Sequence, residues 1–303
     1  MILYHYELSP FSSKTRAMLG YAGLDWESVT VRSLPPRPEI DALAGGYRKI
    51  PVAQIGADIF CDSHVIGAEI ARLSGRRLLD PAQCGEEAQA WLRRVDVQVF
   101  AHSLMLSGTF TLGRKVWAAM PLREIIGFAR DRVGIGRTAR VKANPAKARE
   151  RVRAHLADCE ARLARSPWLF GDEPCHADFS AWHSLWFIHE LAGTDVLADF
   201  PRVRDWYDRL RAASQGGHRY ETSAADARAV ALAMTPREIP AEYLGDPLIG
   251  CEVVVAPDDY ALDPTPGRLA GVAPTRWILA RETPEGHTVH VHFPREGYAL
   301  TPR

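Results

Sequence analysis

The residues with the clearest chemical potential are Ser9-Pro10-Phe11-Ser12, which follow a short apolar segment. Residues 2–6 have the pattern of a strand and residues 12–23 that of a helix, so this tetrapeptide stands at a strand-to-helix junction. The first N–H groups of a helix are unpaired and partly positive, which stabilises an anion and lowers the pKa of a thiol. A serine hydroxyl there can donate a hydrogen bond to a bound thiolate, or it can simply cap the helix. Because serine rather than cysteine occupies both positions, thiol–disulfide exchange is disfavoured.

Two further polar groups stand at the ends of predicted elements. Lys49-Ile50-Pro51 opens a strand, and a cis peptide before that proline would turn the Ile50 backbone towards a ligand. Asp62-Ser63 stands at the start of a helix, where a carboxylate, a hydroxyl and free N–H groups suit an α-amino and α-carboxyl pair. These residues also have purely structural interpretations. Lys49 can be a solvated turn residue, Pro51 can simply open the strand, and Asp62-Ser63 can simply cap the helix.

The elements that must position these groups lie within about eighty residues. After the first strand and helix come an alternating strand over 26–31, a proline-rich turn and a weak helix. A hairpin follows, with strands over 49–55 and 59–61, and then the helix that Asp62-Ser63 begins. The pattern predicts a β-α-β unit followed by a hairpin and a helix.

The rest of the chain divides into two parts of different character. From Gly85 the sequence is typical of helices, which we predict over 86–106, 146–164, 178–191 and 202–213. Residues 215–222 are predicted as a loop, and Ser223 with Asp226 caps one more helix over about 224–234. Residues 235–303 contain three alternating β-rich segments and carry six arginines against ten acidic residues. We interpret this acidic stretch as a separate small module of barrel-like or hairpin strands.

The order of these motifs resembles the soluble glutathione transferase superfamily. The N-terminal match is carried by ILYHYELSPFSSKTRAML and RKIPVAQIGADIFCDSHVI, within residues 1–76. A looser match extends to about residue 222 and includes the segment from Trp168 to Phe179, which is similar to a family capping motif. In it Cys175 replaces the usual hydroxyl, so we expect Asp178 to do most of the capping.

The resemblance implies a thioredoxin-like α/β domain (1–78) and an all-helical domain (85–222). A linker helix (223–234) and the small β-rich domain (235–303) would follow. The tail matches nothing in the common transferase pattern. Glutathione is the implied co-substrate, a small electrophile the second substrate, and a cytoplasmic homodimer the implied form.

The resemblance also implies roles for single residues. Ser9 would be the catalytic serine that stabilises the glutathione thiolate, with Ser12 as the fallback. The glutathione site would contain Phe11, Lys49 for the glycyl carboxylate, Ile50, Pro51, and Asp62 with Ser63 for the γ-glutamyl end. The aspartate is shorter than the family's commoner glutamate. His102, Met105 and Phe110 are expected on the first long helix of the second domain, and His102 and Met105 are candidates for the electrophile pocket, although residues at such spacing are usually core.

Three functions remain open at this stage. The first is a transferase in which the thiolate attacks an electrophile. The second is a non-catalytic binding or regulatory protein that uses the added β-domain, and the third is a glutathione-dependent isomerase or lyase. Residues of the helical domain would determine which substrate is used, and no motif there distinguishes among the three functions.

Composition excludes other classes of protein. Lys plus Arg and Asp plus Glu are both 37, so net charge gives no attraction to nucleic acid or anionic membranes. Five scattered cysteines predict neither a disulfide framework nor a zinc site, and no signal peptide or membrane span is expected. The basic run over 137–153 is interpreted as a solvated surface. His287, His290 and His292 are too few for a metal site, and none is predicted.

Overall fold

The N-terminal region is a mixed sheet with helices on both faces in the computed structural model, which describes residues 1–139 and 143–303. Its strands follow the order β4-β3-β1-β2, with β1 and β2 parallel and the other pairs antiparallel. The elements are β1 (Ile2–His5), α1 (Pro10–Ala22), β2 (Trp26–Thr30), α2 (Pro38–Ala44), β3 (Val52–Ile55), β4 (Asp58–Cys61) and α3 (Ser63–Ser74). The thioredoxin-like fold predicted from the sequence is therefore confirmed.

Neighbouring residues determine where α1 begins and ends. Ser9 is the N-cap, with extended backbone, and Pro10 occupies the first helical turn, where its missing N–H costs nothing. Gly23 ends the helix with a φ of 65°, a left-handed conformation that glycine adopts without strain. The start of α1 is thereby fixed against the end of β1.

The second region is helical, as predicted, but contains more helices than the sequence pattern indicated. Its helices are α4 (Glu86–Arg94), α5 (Phe100–Leu106), α6 (Phe110–Ala119), α7 (Leu122–Thr138), α8 (Ala148–Leu163), α9 (His176–Leu185) and α10 (Pro201–Ala213). A π-helical segment, Val95–Val99, joins α4 to α5. Helices α6 and α7 were not predicted, because their large apolar residues, such as Trp117 and Ile126, are exposed and define no buried stripe.

Asp178 caps α9, as the sequence predicted. One carboxylate oxygen accepts the Cys175 N–H at 3.0 Å, and the other accepts the Leu169 N–H at 3.0 Å and the Trp206 Nε1–H at 2.9 Å. A single buried carboxylate thus ties the start of α9 to the preceding loop and to α10.

The stretch predicted as a loop over 215–222 contains a short strand, β5 (Arg219–Glu221), which pairs in parallel with β2. Its side chains are all exposed, so no alternation marked it in the sequence. The predicted helix follows as α11 (Ala224–Ala233), with Ser223 as its N-cap.

The C-terminal strands are not a separate sheet. They are β6 (Glu252–Pro257), β7 (Thr265–Val272), β8 (Arg276–Glu282), β9 (Thr288–Pro294) and β10 (Tyr298–Pro302). β9 pairs in parallel with β4, so all strands form one ten-stranded sheet in the order β10-β6-β7-β8-β9-β4-β3-β1-β2-β5. The extra β-rich strands predicted from the sequence are confirmed, and the domain boundary at residue 235 stays a prediction. Their pairing with the N-terminal sheet was not predicted, because alternation identifies strands without identifying their partners.

Buried charges reinforce the junction between β4 and β9. Asp58 accepts a hydrogen bond from His292 at 2.8 Å and from the Arg237 backbone at 3.0 Å. Glu69 on α3 accepts from Arg276 at 2.7 Å and from Arg237 at 3.1 Å. His290 Nδ1 lies 4.0 Å from the same Asp58 carboxylate, which holds the C-terminal strands against the first region.

Two apolar cores lie on opposite faces of the sheet. One joins α1 and α3 to the helical region, and the other lies among α2, α11 and the C-terminal strands. Among the described residues, no helix is long and apolar enough to cross a membrane.

Candidate functional site

The strand-to-helix junction places Ser9 beside a cavity. Its hydroxyl oxygen accepts the Ser12 N–H at 3.2 Å, and the residue is 3% exposed. Ser9 lines the larger of two adjoining cavities, whereas Ser12 is fully buried and lines neither. Within the described part of the chain, the Ser12 hydroxyl has no hydrogen-bond partner. Of the two serines, Ser9 is therefore the one that a ligand can reach.

The other two predicted motifs meet in the smaller cavity. The Ile50–Pro51 peptide is cis, and Asp62 and Ser63 lie at the start of α3 beside it. Asp62 has a φ of 86° and a ψ of 140°, a conformation that costs a residue other than glycine about 1–3 kcal/mol. Backbone strain of this kind is typical of binding sites, and here it holds the carboxylate at the cavity.

The smaller cavity has a volume of about 320 Å³, and many of its lining residues are ionisable. We call it the polar cavity. Its ionisable lining residues are Lys49, Asp62, His64, Arg93, Asp96, Asp258, Asp259 and Glu296. This arrangement suits a small ligand that carries both ammonium and carboxylate groups.

The larger cavity, of about 560 Å³, lies between the sheet and the helices and is called here the apolar cavity. Besides Ser9 it is lined mainly by hydrocarbon side chains, including Leu8, Phe100, Leu104, Met105, Phe128 and Phe187. Some residues line both cavities: Phe11, Lys49, Ile50, Asp96, Val97, Asp259 and Tyr260. A ligand in the polar cavity can therefore extend towards Ser9 and meet a second molecule in the apolar cavity.

Of the two residues predicted for the electrophile pocket, the structure places one at a cavity and the other away from it. Met105 lines the apolar cavity, but His102 lines neither cavity, and its Nδ1 lies 2.7 Å from the Gln98 carbonyl oxygen. Phe110 begins the separate helix α6 and is 83% exposed. The structure therefore brings Met105 into the site and leaves His102 and Phe110 outside it.

A buried charge cluster beneath the polar cavity was not predicted. Lys14 on α1 is fully buried and its Nζ lies 2.9 Å from an Asp96 carboxylate oxygen, which also lies 2.9 Å from His64 Nε2. Burial alone would raise the pKa of Asp96, but the Lys14 ammonium and the contact with His64 hold that pKa well below its usual range. Lys14 also reaches Ser63 at 3.4 Å, so the cluster supports the Asp62-Ser63 turn.

The same cluster contains the donor set closest to a metal site. His64, Asp96 and His176 offer ligand atoms that all lie within 4.8 Å of one another. However, the Lys14 ammonium already contacts the Asp96 carboxylate, and His176 Nδ1 lies 2.8 Å from the Leu79 carbonyl oxygen. The expectation that no metal is bound stays a prediction.

The C-terminal strands form one wall of the polar cavity. Tyr298 donates a hydrogen bond to Asp62 at 3.0 Å and lies 2.7 Å from the Tyr47 hydroxyl. Lys49 pairs with Asp259 at 2.6 Å, and its ammonium lies 4.1 Å from the centre of the Tyr260 ring. This wall was not predicted, because its residues lie more than 200 positions from Lys49 and follow no local motif.

The basic run over 137–153 lies partly outside the described residues, which omit 140–142. In its described part, Arg153 on α8 forms an exposed ion pair with Asp199 at 2.7 Å. This contact agrees with the interpretation of a solvated face.

Comparison with known families identifies two domains. Residues 3–77 match the glutathione S-transferase N-terminal domain, and residues 89–209 match the glutathione S-transferase C-terminal domain. A search of curated proteins found no match.

One solved structure extends this likeness to the C-terminal strands. A GST-like protein from Pseudomonas syringae is 30% identical with a TM-score of 0.77, over 100% of this chain and 98% of that chain. A theta class glutathione S-transferase from Xanthomonas axonopodis pv. citri, solved with glutathione bound, is 19% identical with a TM-score of 0.48. That alignment covers 71% of this chain and 94% of the other.

Proposed function

The chain belongs to the glutathione S-transferase family, and from this premise we propose that it binds reduced glutathione in the polar cavity and activates its thiol beside Ser9. The observation that carries the proposal is the meeting of the Ile50-Pro51 and Asp62-Ser63 motifs in one cavity that adjoins another lined by Ser9. The homodimer that the resemblance implies stays a prediction.

The γ-glutamyl end of the tripeptide finds complementary groups at the start of α3. The γ-glutamyl ammonium meets the Asp62 carboxylate, and the γ-glutamyl carboxylate meets the Ser63 hydroxyl and the start of α3. The cysteinyl part lies along the Ile50 backbone. Asp62 keeps acceptor capacity for this ligand, because its bonds from the His64 N–H and the Tyr298 hydroxyl leave lone pairs free.

The chemical step needs a thiolate near neutral pH. The Ser9 hydroxyl and the positive end of α1 stabilise the sulfur anion, so the thiol releases its proton to solvent more readily. The sulfur then forms a bond to an electrophilic carbon held in the apolar cavity. A leaving group departs with its electron pair, or the adduct takes up a proton.

The proposal is tested by calorimetric titration of reduced glutathione into the wild-type protein and into Asp62→Ala. We expect binding in the micromolar-to-millimolar range that Asp62→Ala weakens at least roughly tenfold, because an ammonium loses its ion pair. No binding at millimolar glutathione would show that the fold serves another purpose.

Turnover is tested separately with a panel of electrophiles. Ser9→Ala should lower kcat roughly 100-fold while glutathione still binds, as loss of one donor to a developing anion does in other enzymes. If Ser12→Ala has the large effect and Ser9→Ala has none, the thiolate is stabilised by the fallback serine. Binding without turnover of any electrophile would favour the non-catalytic alternative.

A further inference from the structure

The C-terminal strands place three carboxylates on the polar cavity. Asp258 and Asp259 follow β6, and Glu296 lies in the turn between β9 and β10. They belong to a region that contains six arginines and ten acidic residues. The family's two matched domains end at residue 209, so these carboxylates are additions to the site.

Lys49 is the residue expected to receive the glycyl carboxylate of glutathione, and it is already engaged. Its ammonium lies 2.6 Å from Asp259, 4.1 Å from the centre of the Tyr260 ring and 5.4 Å from that of Tyr298. The Lys49 side chain is only 11% exposed. The Asp259 carboxylate therefore occupies the position at which a ligand carboxylate would pair with this lysine.

The charges around this end of the cavity leave an excess of carboxylate. Lys49 is balanced by Asp259, and Arg93 pairs with Glu296 at 3.0 Å. Asp258 has no such counterpart among the ion pairs of the described residues. A ligand carboxylate placed here would face two aspartates across a partly buried space, where like charges repel more strongly than in water.

We propose that Asp259, with Asp258, is a specificity determinant that selects a glutathione-type thiol whose glycine carboxyl group is capped as an amide. This proposal rests on the proposed function, since it concerns the same cavity. Removing the carboxylate charge removes the repulsion, and an amine carried on the amide adds attraction to the aspartates. The rings of Tyr260 and Tyr298 already lie against one ammonium and suit a second.

The test uses three synthetic ligands that share the same thiol and γ-glutamyl end. Reduced glutathione has a net charge of about −1 at pH 7, its glycine amide about 0, and its glycine 2-aminoethylamide about +1. Calorimetric titration into the wild-type protein should show affinity that rises along this series, by roughly fivefold to tenfold at each step. The differences in affinity among the three ligands should become smaller at high salt, because the interaction is electrostatic.

The variant Asp259→Asn tests whether Asp259 causes the preference for the amides. This variant keeps the acceptor that Asp259 offers to the Tyr260 N–H at 2.7 Å, so the local turn is retained. We expect it to bind reduced glutathione about tenfold more tightly and to lose most of its preference for the amides. Asp263→Asn is the matched control, because Asp263 lies on the same segment, lines neither cavity and makes only a partly exposed ion pair with Arg48 at 3.7 Å.

Each outcome decides the proposal. If the wild-type protein binds reduced glutathione as tightly as the amides, the glycyl carboxylate displaces Asp259 from Lys49 and the inference is wrong, while the proposed function stands. If the amides bind best but Asp259→Asn keeps the preference, Asp259 is not the determinant. If none of the three ligands binds at millimolar concentration, the proposed function fails and the inference fails with it.

Discussion

The two cavities share a wall but are built in different ways. The polar cavity lies where three regions of the chain meet, and charge pairs hold those regions together: Lys14 with Asp96, and Lys49 with Asp259. The apolar cavity is lined by hydrocarbon side chains, several of which, including Met105 and Leu104, are more than a third exposed. Because Lys49, Asp96 and Asp259 lie on the shared wall, the two cavities differ mainly in the hydrocarbon side chains that line the larger one.

This difference suits two kinds of ligand. Hydrogen bonds and ion pairs depend on distance and direction, so they fix one ligand in one orientation. Hydrocarbon contacts have little directional preference, so an open apolar cavity can accept molecules of different shapes. A protein that presents one constant thiol to varied electrophiles needs both properties side by side.

The largest effect is expected when the buried pair beneath the polar cavity is broken. Lys14→Met leaves the Asp96 carboxylate buried without its ammonium, which should lower the free energy of unfolding by about 3–5 kcal/mol. Chemical denaturation measures this change. Adding Asp96→Asn to Lys14→Met should recover much of the loss, because no uncompensated charge then remains.

Arg153→Met serves as the control, since it removes an ion pair in which both side chains are more than half exposed. That substitution should cost less than about 1 kcal/mol. If Lys14→Met costs no more than the control, the polar cavity is not held by its buried charges, and the contrast between the two cavities is lost.

A second prediction concerns the wall that the C-terminal strands supply. Burial alone would raise the pKa of Glu69, but the hydrogen bond and charge of Arg276, with those of Arg72 and Arg237, lower it from 4.5 to about 2. A carboxyl group whose pKa is depressed by folding stabilises the native state above its unfolded pKa. The contribution, about 3 kcal/mol, should be lost progressively as the pH falls from about 4.5 to about 2.

Glu69→Gln should therefore be less stable than wild type at neutral pH and less sensitive to acid within that window. Denaturation curves at several pH values would measure both effects. Glu238→Gln, an exposed carboxylate in the neighbouring segment, is the matched control and should follow the wild-type curve. An unchanged acid dependence in Glu69→Gln would mean that other groups attach the C-terminal strands.

Sequence reasoning found the parts of the site that depend on local structure. Ser9, Pro51 and Asp62 each mark the start of a helix or strand, and the chemistry of such starts can be inferred from neighbouring residues. Placing them together required only the order of elements in the thioredoxin-like domain. These residues therefore lie at the cavities, as expected, although their roles stay proposals.

The missed parts depend on partners far away in the chain. Lys14 looks like any helical lysine, and only its contact with Asp96, 82 residues away, shows that its charge is buried. Asp259 and Tyr298 follow no motif and reach the cavity because β9 pairs with β4. Local patterns predict elements, whereas long-range pairing decides which elements meet.

The smallest effect is expected in the apolar cavity. Met105 is 47% exposed, so Met105→Ala should lower the free energy of unfolding by less than about 1 kcal/mol. The same substitution removes apolar contact area from the cavity and should weaken binding of a hydrophobic fluorescent dye roughly threefold to tenfold. The dissociation constant of reduced glutathione should not change, because Met105 does not line the polar cavity.

Met234→Ala is the matched control, since Met234 is 54% exposed and lines neither cavity. Dye fluorescence and calorimetry on both variants separate the two ligands. If Met105→Ala weakens glutathione and dye binding to the same degree, the two cavities behave as one site. Glutathione binding would then depend on the side chains of the apolar cavity. The assignment of glutathione to the polar cavity and of the electrophile to the apolar cavity would be wrong.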